Sequence, residues 1–298
     1  MPDLKSVSPS TVATFDLGEG LVINRLGFGA MRITGPGIWG PPDDSSEAVR
    51  TLRNLAELGV NFIDTADSYG PDVSSRLIRE ALYPYDGVII ATKAGLRRPG
   101  PDRWQPDGRP EYLRQRLERS LDTLGLEQIP LWQLHMISPN ISREEQFDAI
   151  RALQSEGLIK HVGLCQVSVD DIRAATRYFP VATVQNRYNF SDRQSEDVLA
   201  YCEKNHIGFI PWAPLDAGLL ASTSSPLTRI ASAHGVSPGQ IALAWLLQKS
   251  PVIIPTPGTS NRRHLVENVA ARDITLTERE MVELNALGHE AKEGVSQQ

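Results

Sequence analysis

The chain has 298 residues, 41% of them apolar and 22% charged, with a formal net charge of −6. That balance is typical of a soluble globular chain, and the negative sign argues against a nucleic-acid or anionic-membrane partner. Two cysteines, Cys165 and Cys202, cannot make a disulfide framework, and no run approaches the ~20 apolar residues of a membrane span or resembles a signal peptide, so the expectation is a cytoplasmic protein.

The first elements are a hairpin, two short strands flanking the turn-prone "LGEG", and a further strand over Leu26 to Ala30. A regular alternation follows. Asp44 is a suitable N-cap for "SSEAVRTLRNLAELG", where Val49, Leu52, Leu55 and Ala56 recur at helical spacing before Gly59. The strand "NFIDTA" comes next, then a helix around Ser74 to Leu82 and the strand "GVIIATK". A helix around Pro110 to Leu124, with proline in its first turn, leads to "LWQLHMI". Helices around Ser142 to Ser155, Val169 to Arg177 and Gln194 to Asn205 alternate with "HVGLC", "VATVQN" and "GFIPWAP". Two helices, near Pro226 to His234 and Ser237 to Gln248, precede "PVIIPT"; two more, near Asn261 to Ala270 and Thr277 to Leu287, end the pattern.

Eight strand–helix units with short, apolar, β-branched strands predict a closed (β/α)8 TIM barrel with an N-terminal β-hairpin and extra C-terminal helices. The rival, a doubly wound open sheet, normally carries GxGxxG after its first strand, and "GFGAMRITGPG" has the wrong spacing. No linker interrupts the alternation, so residues 1–298 are expected to form one domain, with about 22–287 the barrel and 288–298 a tail.

In such a barrel the reactive groups stand at the C-terminal ends of the strands. There the chain places Asp64 with Tyr69 behind it, then Lys93, then His135, on successive strands. Each has an ordinary structural explanation by itself: a loop cap, a packed ring, a snorkelling ammonium, a satisfied imidazole. Together on one rim they suit proton transfer by a tuned phenol. Lys93 would stabilise the phenolate and lower the Tyr69 pKa, Asp64 would hold Lys93 charged, and neutral His135 would orient a substrate oxygen. Carbonyl–alcohol interconversion of this kind needs a hydride donor. Gln166, Gln185 and Asn186 offer amides for a carboxamide, Trp212 a flat face, and "PGTSN" before a helix offers N–H groups for a phosphate, with Arg262 and Arg263 alongside.

From about Val22 to Leu287 the chain resembles the aldo-keto reductases, through "LGFGAMR", "NFIDTADSYG", "ATKAG", "LWQLHM", "GLIKHVGLC", "VQNRYN" and "IPTPGTSNRRHLVENVAA". The resemblance implies a catalytic tetrad of Asp64, Tyr69, Lys93 and His135, with Tyr69 as general acid. It implies nicotinamide contacts from Gln166, Gln185 and Trp212, and an adenosine and 2′-phosphate segment containing Gly258, Thr259, Ser260, Arg263, Glu267 and Asn268. The implied cofactor is NADPH/NADP+, with NADH an alternative, and the implied partner is a small-molecule carbonyl; no metal, membrane, nucleic acid or obligate protein partner is expected. The chain departs from the family in having Cys165-Gln166 where Ser-Asn is common, and His264 where a basic residue is common, which leaves the 2′-phosphate to Arg262 or Arg263. "GPGIWGPPDD" and "IREALYPYDGVIIATKAG" are similar to bacterial pyridoxal reductases of the family, which implies Trp39 as a wall of the substrate pocket and pyridoxal as the first candidate. Two other readings stay open: a nucleotide-binding regulatory subunit with little turnover, and an NAD-dependent alcohol or sugar dehydrogenase of the same family.

Overall fold

Along each barrel strand, side chains point alternately to opposite faces of the sheet, and this alternation sorts the sequence into layers. The structure, a computed structural model, describes residues 13–215 and 226–293; the last residues of the expected tail, 294–298, lie outside them. Strands β1 (Thr14–Asp16) and β2 (Val22–Asn24) form the antiparallel hairpin, with Phe15 opposite Ile23. Then come β3 (Phe28–Gly29), α1 (Ser45–Glu57), β4 (Phe62–Asp64), α2 (Val73–Leu82) and β5 (Ile89–Ala94). A second antiparallel hairpin, β6 (Leu96–Gly100) and β7 (Arg103–Pro106), follows β5. The alternation resumes with α3 (Pro110–Leu124), β8 (Ile129–Leu134), α4 (Arg143–Ser155), β9 (Ile159–Cys165), α5 (Val169–Ala175), β10 (Val181–Gln185), α6 (Glu196–Lys204) and β11 (Gly208–Phe209). Helices α7 (Pro226–His234), α8 (Pro238–Lys249), α9 (Arg262–Ala270) and α10 (Glu278–Glu293) complete the described chain. None of the described helices is long and apolar enough to cross a membrane.

Seven strands form one parallel sheet in the order β11-β10-β9-β8-β5-β4-β3. The expected eighth strand, "PVIIPT", is not regular; it touches the sheet through single bonds. Phe209 N donates to Val252 O and Ile254 N to Phe209 O, both at 2.8 Å, while Gly27 N donates to Pro255 O at 2.9 Å. The segment therefore joins the two outermost strands, with three prolines in and beside it, Pro251, Pro255 and Pro257, that supply no ladder N–H.

One face of the strands packs on the helices: Ile63, Ile90, Trp132, Val162, Val184 and Ile253 belong to the large core. The other face begins with a small apolar layer, Phe62, Ala91, Leu131, Ile210 and Ile254, backed by Leu17 and Ile23 of the hairpin segment. Two residues further on along each of these segments stand Asp64, Lys93, Gln133, Trp212 and Thr256, all but the indole polar. The register carries this across the sheet, pairing Gly29 with Asp64 and Lys93 with Gln133. Gly163 leaves the space this crowding needs, since a Cβ there would lie 2.2 Å from Thr183 Oγ1 and 2.8 Å from Gln133 Cγ.

The helices start where side chains satisfy their open N–H groups. Asp44 accepts from Glu47 N at 2.8 Å to start α1, and Ser168 and Ser237 each make a reciprocal capping box for α5 and α8. The C-terminal helix runs to Glu293, beyond the Leu287 expected from periodicity. The β6–β7 hairpin was not expected either; it lies in "LRRPGPDRWQP", whose Pro-Gly-Pro-Asp is a turn signal.

Candidate active site

The tetrad converges. Lys93 is fully buried and donates through Nζ to Asp64 Oδ2 at 2.6 Å and to Thr65 O at 2.8 Å. Its ammonium lies 5.2 Å from the centre of the Tyr69 ring. Tyr69 meets His135 edge to face, with ring centres 6.1 Å apart. The second oxygen of Asp64 accepts from Gln133 Nε2 at 2.9 Å. Gln133 was not singled out in the sequence; its signal is an amide at an inward position between Leu131 and His135.

Burial and the neighbouring charges together set the protonation of these groups. Burial pushes the Tyr69 phenol up to about 12; Lys93 acts downward, and Asp64 and Cys165 add to the rise. The expectation that Lys93 lowers this phenol below its ordinary value is thus corrected: the cation opposes the shift, but desolvation is larger. Burial also presses Lys93 toward its neutral form, yet Asp64, helped by Tyr69 and Cys165, more than offsets it, so the ammonium is held above its ordinary range. His135 is driven well below the usual imidazole value, first by burial and then by Lys93 and Arg98. Burial raises the Cys165 thiol, so it stays protonated beside the site. At neutral pH the site holds a phenol, an ammonium and a neutral imidazole.

The loop that presents Tyr69 is pinned from α3. Arg116 bridges Asp67 Oδ2 and Asp72 Oδ1, both at 2.7 Å, and Arg119 reaches Asp72 at 3.2 Å. Asp67 is buried and its Oδ1 has no partner; burial raises its carboxyl to about 6 against the pull of Arg116. This agrees with a loop-shaping part for Asp67. On the facing loop, Trp39 is 36% exposed, and its neighbour Gly40 donates to Gly70 O at 2.8 Å, so the Trp39 loop is stitched beside Tyr69.

Residues expected to hold a nicotinamide cofactor separate into usable and committed groups. Gln185 is buried, and its Nε2 has no hydrogen-bond partner. Gln166 is exposed, has φ 56°, and donates its backbone N–H to Gln185 O at 3.0 Å, which places the two amide side chains on adjacent strand ends. Asn186 is not available: it accepts from Val167 N at 3.0 Å and donates to Val167 O at 2.8 Å. Trp212 is half-buried, with the Arg187 guanidinium 5.3 Å from its ring centre. Gly258 lies against Gly29, where a Cβ would come within 2.5 Å of Gly29 O. Beyond it, Thr259 Oγ1 accepts from Asn261 N at 3.0 Å, and Asn261 accepts from Arg263 N at 2.9 Å and His264 N at 3.4 Å. The Asn261 side chain therefore caps α9 at Arg263 N and His264 N. Anion-binding capacity falls to Ser260 and the exposed Arg262 and Arg263 side chains; Arg263 has Glu267 at 3.7 Å, and Asn268 lies buried on the same helix. A cavity of about 570 Å³, lined in part by Met31, Arg32, Ile38, Asp102 and Ser260, opens beside this segment; none of the tetrad lines it. Among the described residues no cluster of His, Cys, Asp or Glu could hold a metal ion. The orphaned Gln185 amide and the exposed arginines fit a nicotinamide dinucleotide.

The family model described as "Aldo/keto reductase family" matches residues 25–289. An uncharacterized oxidoreductase of Schizosaccharomyces pombe is 52% identical over 95% of this chain and 92% of its own length. Pyridoxine 4-dehydrogenase of Escherichia coli is 39% identical over 93% of this chain and 99% of its own. Among solved structures, a thermostable aldo-keto reductase in complex with the inhibitor epalrestat matches with a TM-score of 0.80 at 31% identity, covering 92% of this chain and 99% of that one.

Proposed function

The chain belongs to the aldo/keto reductase family, and from that premise we propose that it is an NADPH-dependent reductase of aldehydes, with pyridoxal the first candidate substrate and Tyr69 the proton donor. The observation that carries the reading is the convergence of Asp64, Lys93, Tyr69 and His135 on one rim, with Lys93 Nζ 2.6 Å from Asp64 and 5.2 Å from the Tyr69 ring centre. We read residues 1–298 as one domain, and the bridging segment 252–257 as completing a closed barrel around that rim.

The chemistry follows from the protonation states. Burial keeps Tyr69 as a phenol through neutral pH, which is the donor form. A carbonyl oxygen between Tyr69 and His135 would accept a hydrogen bond from each. As that oxygen becomes an alkoxide, whose conjugate acid is weaker than a phenol, proton transfer from Tyr69 is favourable, and Lys93 stabilises the phenolate left behind. Asp64 keeps Lys93 charged. NADPH, when bound, supplies the hydride. Gln166 and Gln185 would hold its carboxamide and Trp212 would face its ring. The segment from Gly258 to Asn268, with Thr259, Ser260, Glu267 and Arg262 or Arg263, would take the adenosine end and its 2′-phosphate.

Pyridoxal is supported by the likeness to Escherichia coli pyridoxine 4-dehydrogenase and by two indoles, Trp39 on the loop stitched to Gly70 and Trp104 with its ring centre 6.2 Å from that of His135, which suit a flat aromatic aldehyde. Both cysteines are free and buried, which fits a reducing compartment, and we place the enzyme in the cytoplasm. The test is steady-state rates for pyridoxal and a panel of aromatic, aliphatic and sugar aldehydes, with NADPH and NADH in parallel. The reading predicts turnover with NADPH and highest kcat/KM for pyridoxal. Tight cofactor binding without turnover on any of them would overturn it in favour of a regulatory subunit. A preference for NAD+ with an alcohol would overturn it in favour of a dehydrogenase.

A further inference from the structure

We infer that Arg98, from the unexpected β6–β7 hairpin, is a positioning residue that fixes the substrate mouth by tying three rim loops together; the inference rests on the proposed reductase reading for its kinetic consequences only. The guanidinium carries five N–H donors, and all five find backbone carbonyls. Nε donates to Arg103 O at 3.0 Å, Nη1 to Ile38 O at 2.9 Å and Ser68 O at 3.0 Å, and Nη2 to Gly37 O at 2.7 Å and Gly100 O at 3.4 Å. Gly37 and Ile38 belong to the loop after β3, Ser68 to the loop presenting Tyr69, and Gly100 and Arg103 to the hairpin itself.

With its donors used, Arg98 has none left for a substrate. What it supplies is the placement of two indoles. Trp104 lies against the guanidinium at 3.7 Å and meets His135 edge to face at 6.2 Å, while Trp39 lies 5.8 Å away on the other loop. The five partners are neutral carbonyls, so the charge stays uncompensated by hydrogen bonding; Asp102 acts on it through space, and burial lowers its pKa. His135 feels this charge, as do Tyr69 and Asp102. The groups around His135 are Lys93, Arg98, the Tyr69 and Trp104 rings, and Ser68 Oγ at 3.4 Å from Nδ1. Arg98 thus does two separable things: its fork geometry holds loops, and its charge helps keep His135 neutral.

Lysine retains the charge but offers three donors from one point and cannot span three loops. Glutamine removes the charge as well. The experiment compares wild type, Arg98→Lys and Arg98→Gln by amide hydrogen exchange, by NMR titration of His135, and by steady-state kinetics on an aldehyde. Amides of Gly40, Gly70 and Asp102, which bond across the tied loops, should exchange about tenfold faster in both variants, as local opening becomes easier. His135 should titrate higher in Arg98→Gln than in wild type, and stay near the wild-type value in Arg98→Lys. Arg98→Lys should raise KM for the aldehyde by about tenfold while kcat stays within about threefold, the signature of lost preorganised binding, with cofactor affinity unchanged. Unchanged exchange at the three amides together with an unchanged KM in Arg98→Lys would overturn the inference. If the wild type turns over no aldehyde, the reductase reading falls, and the exchange and titration data still decide the role of Arg98. If neither Arg98 variant folds, Trp104→Leu replaces them: it should speed exchange at Asp102, and an unchanged rate there would overturn the inference.

Discussion

Replacing Lys93 by methionine should both destabilise the protein and stop the chemistry, and the size of each effect can be worked from the site. Lys93 is fully buried, 2.6 Å from Asp64 Oδ2 and 2.8 Å from Thr65 O. Methionine fills a similar volume but leaves Asp64 with Gln133 as its remaining hydrogen-bond partner. Removing one member of a buried ion pair typically destabilises by about 3–5 kcal/mol, because the other charge stays buried. Unfolding entropy scales at ~2.1 cal/mol/K per residue, so for 298 residues the loss corresponds to a fall in Tm of roughly 5–8 °C. Thermal unfolding followed by circular dichroism reads this directly. Activity should drop by about 10²–10⁴-fold, since Tyr69 loses the cation that stabilises its phenolate. The double variant Asp64→Leu/Lys93→Met removes both charges and should recover most of the lost Tm without recovering activity. A single variant as stable as wild type, or a double variant no more stable than the single, would refute the claim that this is a buried pair holding a charged ammonium.

Three further predictions follow from the same groups. Because His135 is held far below its ordinary pKa, its ring should stay neutral from about pH 6 to 8 in an NMR titration; its stability contribution is complete above the unfolded value of about 6.5 and erodes as pH falls below it. A His135 titration near pH 7 would contradict this. Asp67 runs in the opposite sense: its carboxyl is raised to about 6, so its contribution is fully present below about pH 3.8 and is lost as pH rises through 6, on the order of 3 kcal/mol. Asp67→Asn should flatten the stability–pH curve over that window in denaturant titrations, and an identical curve would count against the assignment. Gln185→Ala should weaken nicotinamide dinucleotide binding by about tenfold in a fluorescence titration, as one buried hydrogen bond is lost; unchanged affinity would mean that its orphaned Nε2 does not meet the cofactor.

The alternation of strands and helices was legible because it rests on periodicity, and caps such as Asp44, Ser168 and Ser237 mark their helices locally. The tetrad was legible for a related reason: Asp64, Lys93 and His135 fall at strand ends, and position along a strand determines which side chains face the barrel interior. What sequence hid was non-local. Arg98 looks like an exposed charge in a polar loop until three loops bring their carbonyls to it. Asn186 looks as available as Gln185 until Val167 folds back and takes both its donor and its acceptor. For Tyr69 the neighbouring cation is visible in sequence, whereas the depth of burial that outweighs it is not. The eighth strand, "PVIIPT", has strand composition, but its prolines remove N–H donors and leave a bridging segment.

The proton-donor role of Tyr69 is tested most directly by a single-turnover measurement with preformed enzyme–NADPH complex and pyridoxal, comparing wild type with Tyr69→Phe. NADPH absorbance should fall rapidly in wild type. In the variant the rate should fall by at least about 10²-fold with cofactor affinity and Tm close to wild type, since the phenol oxygen alone is removed. Turnover by Tyr69→Phe at the wild-type rate would contradict Tyr69 as the proton donor.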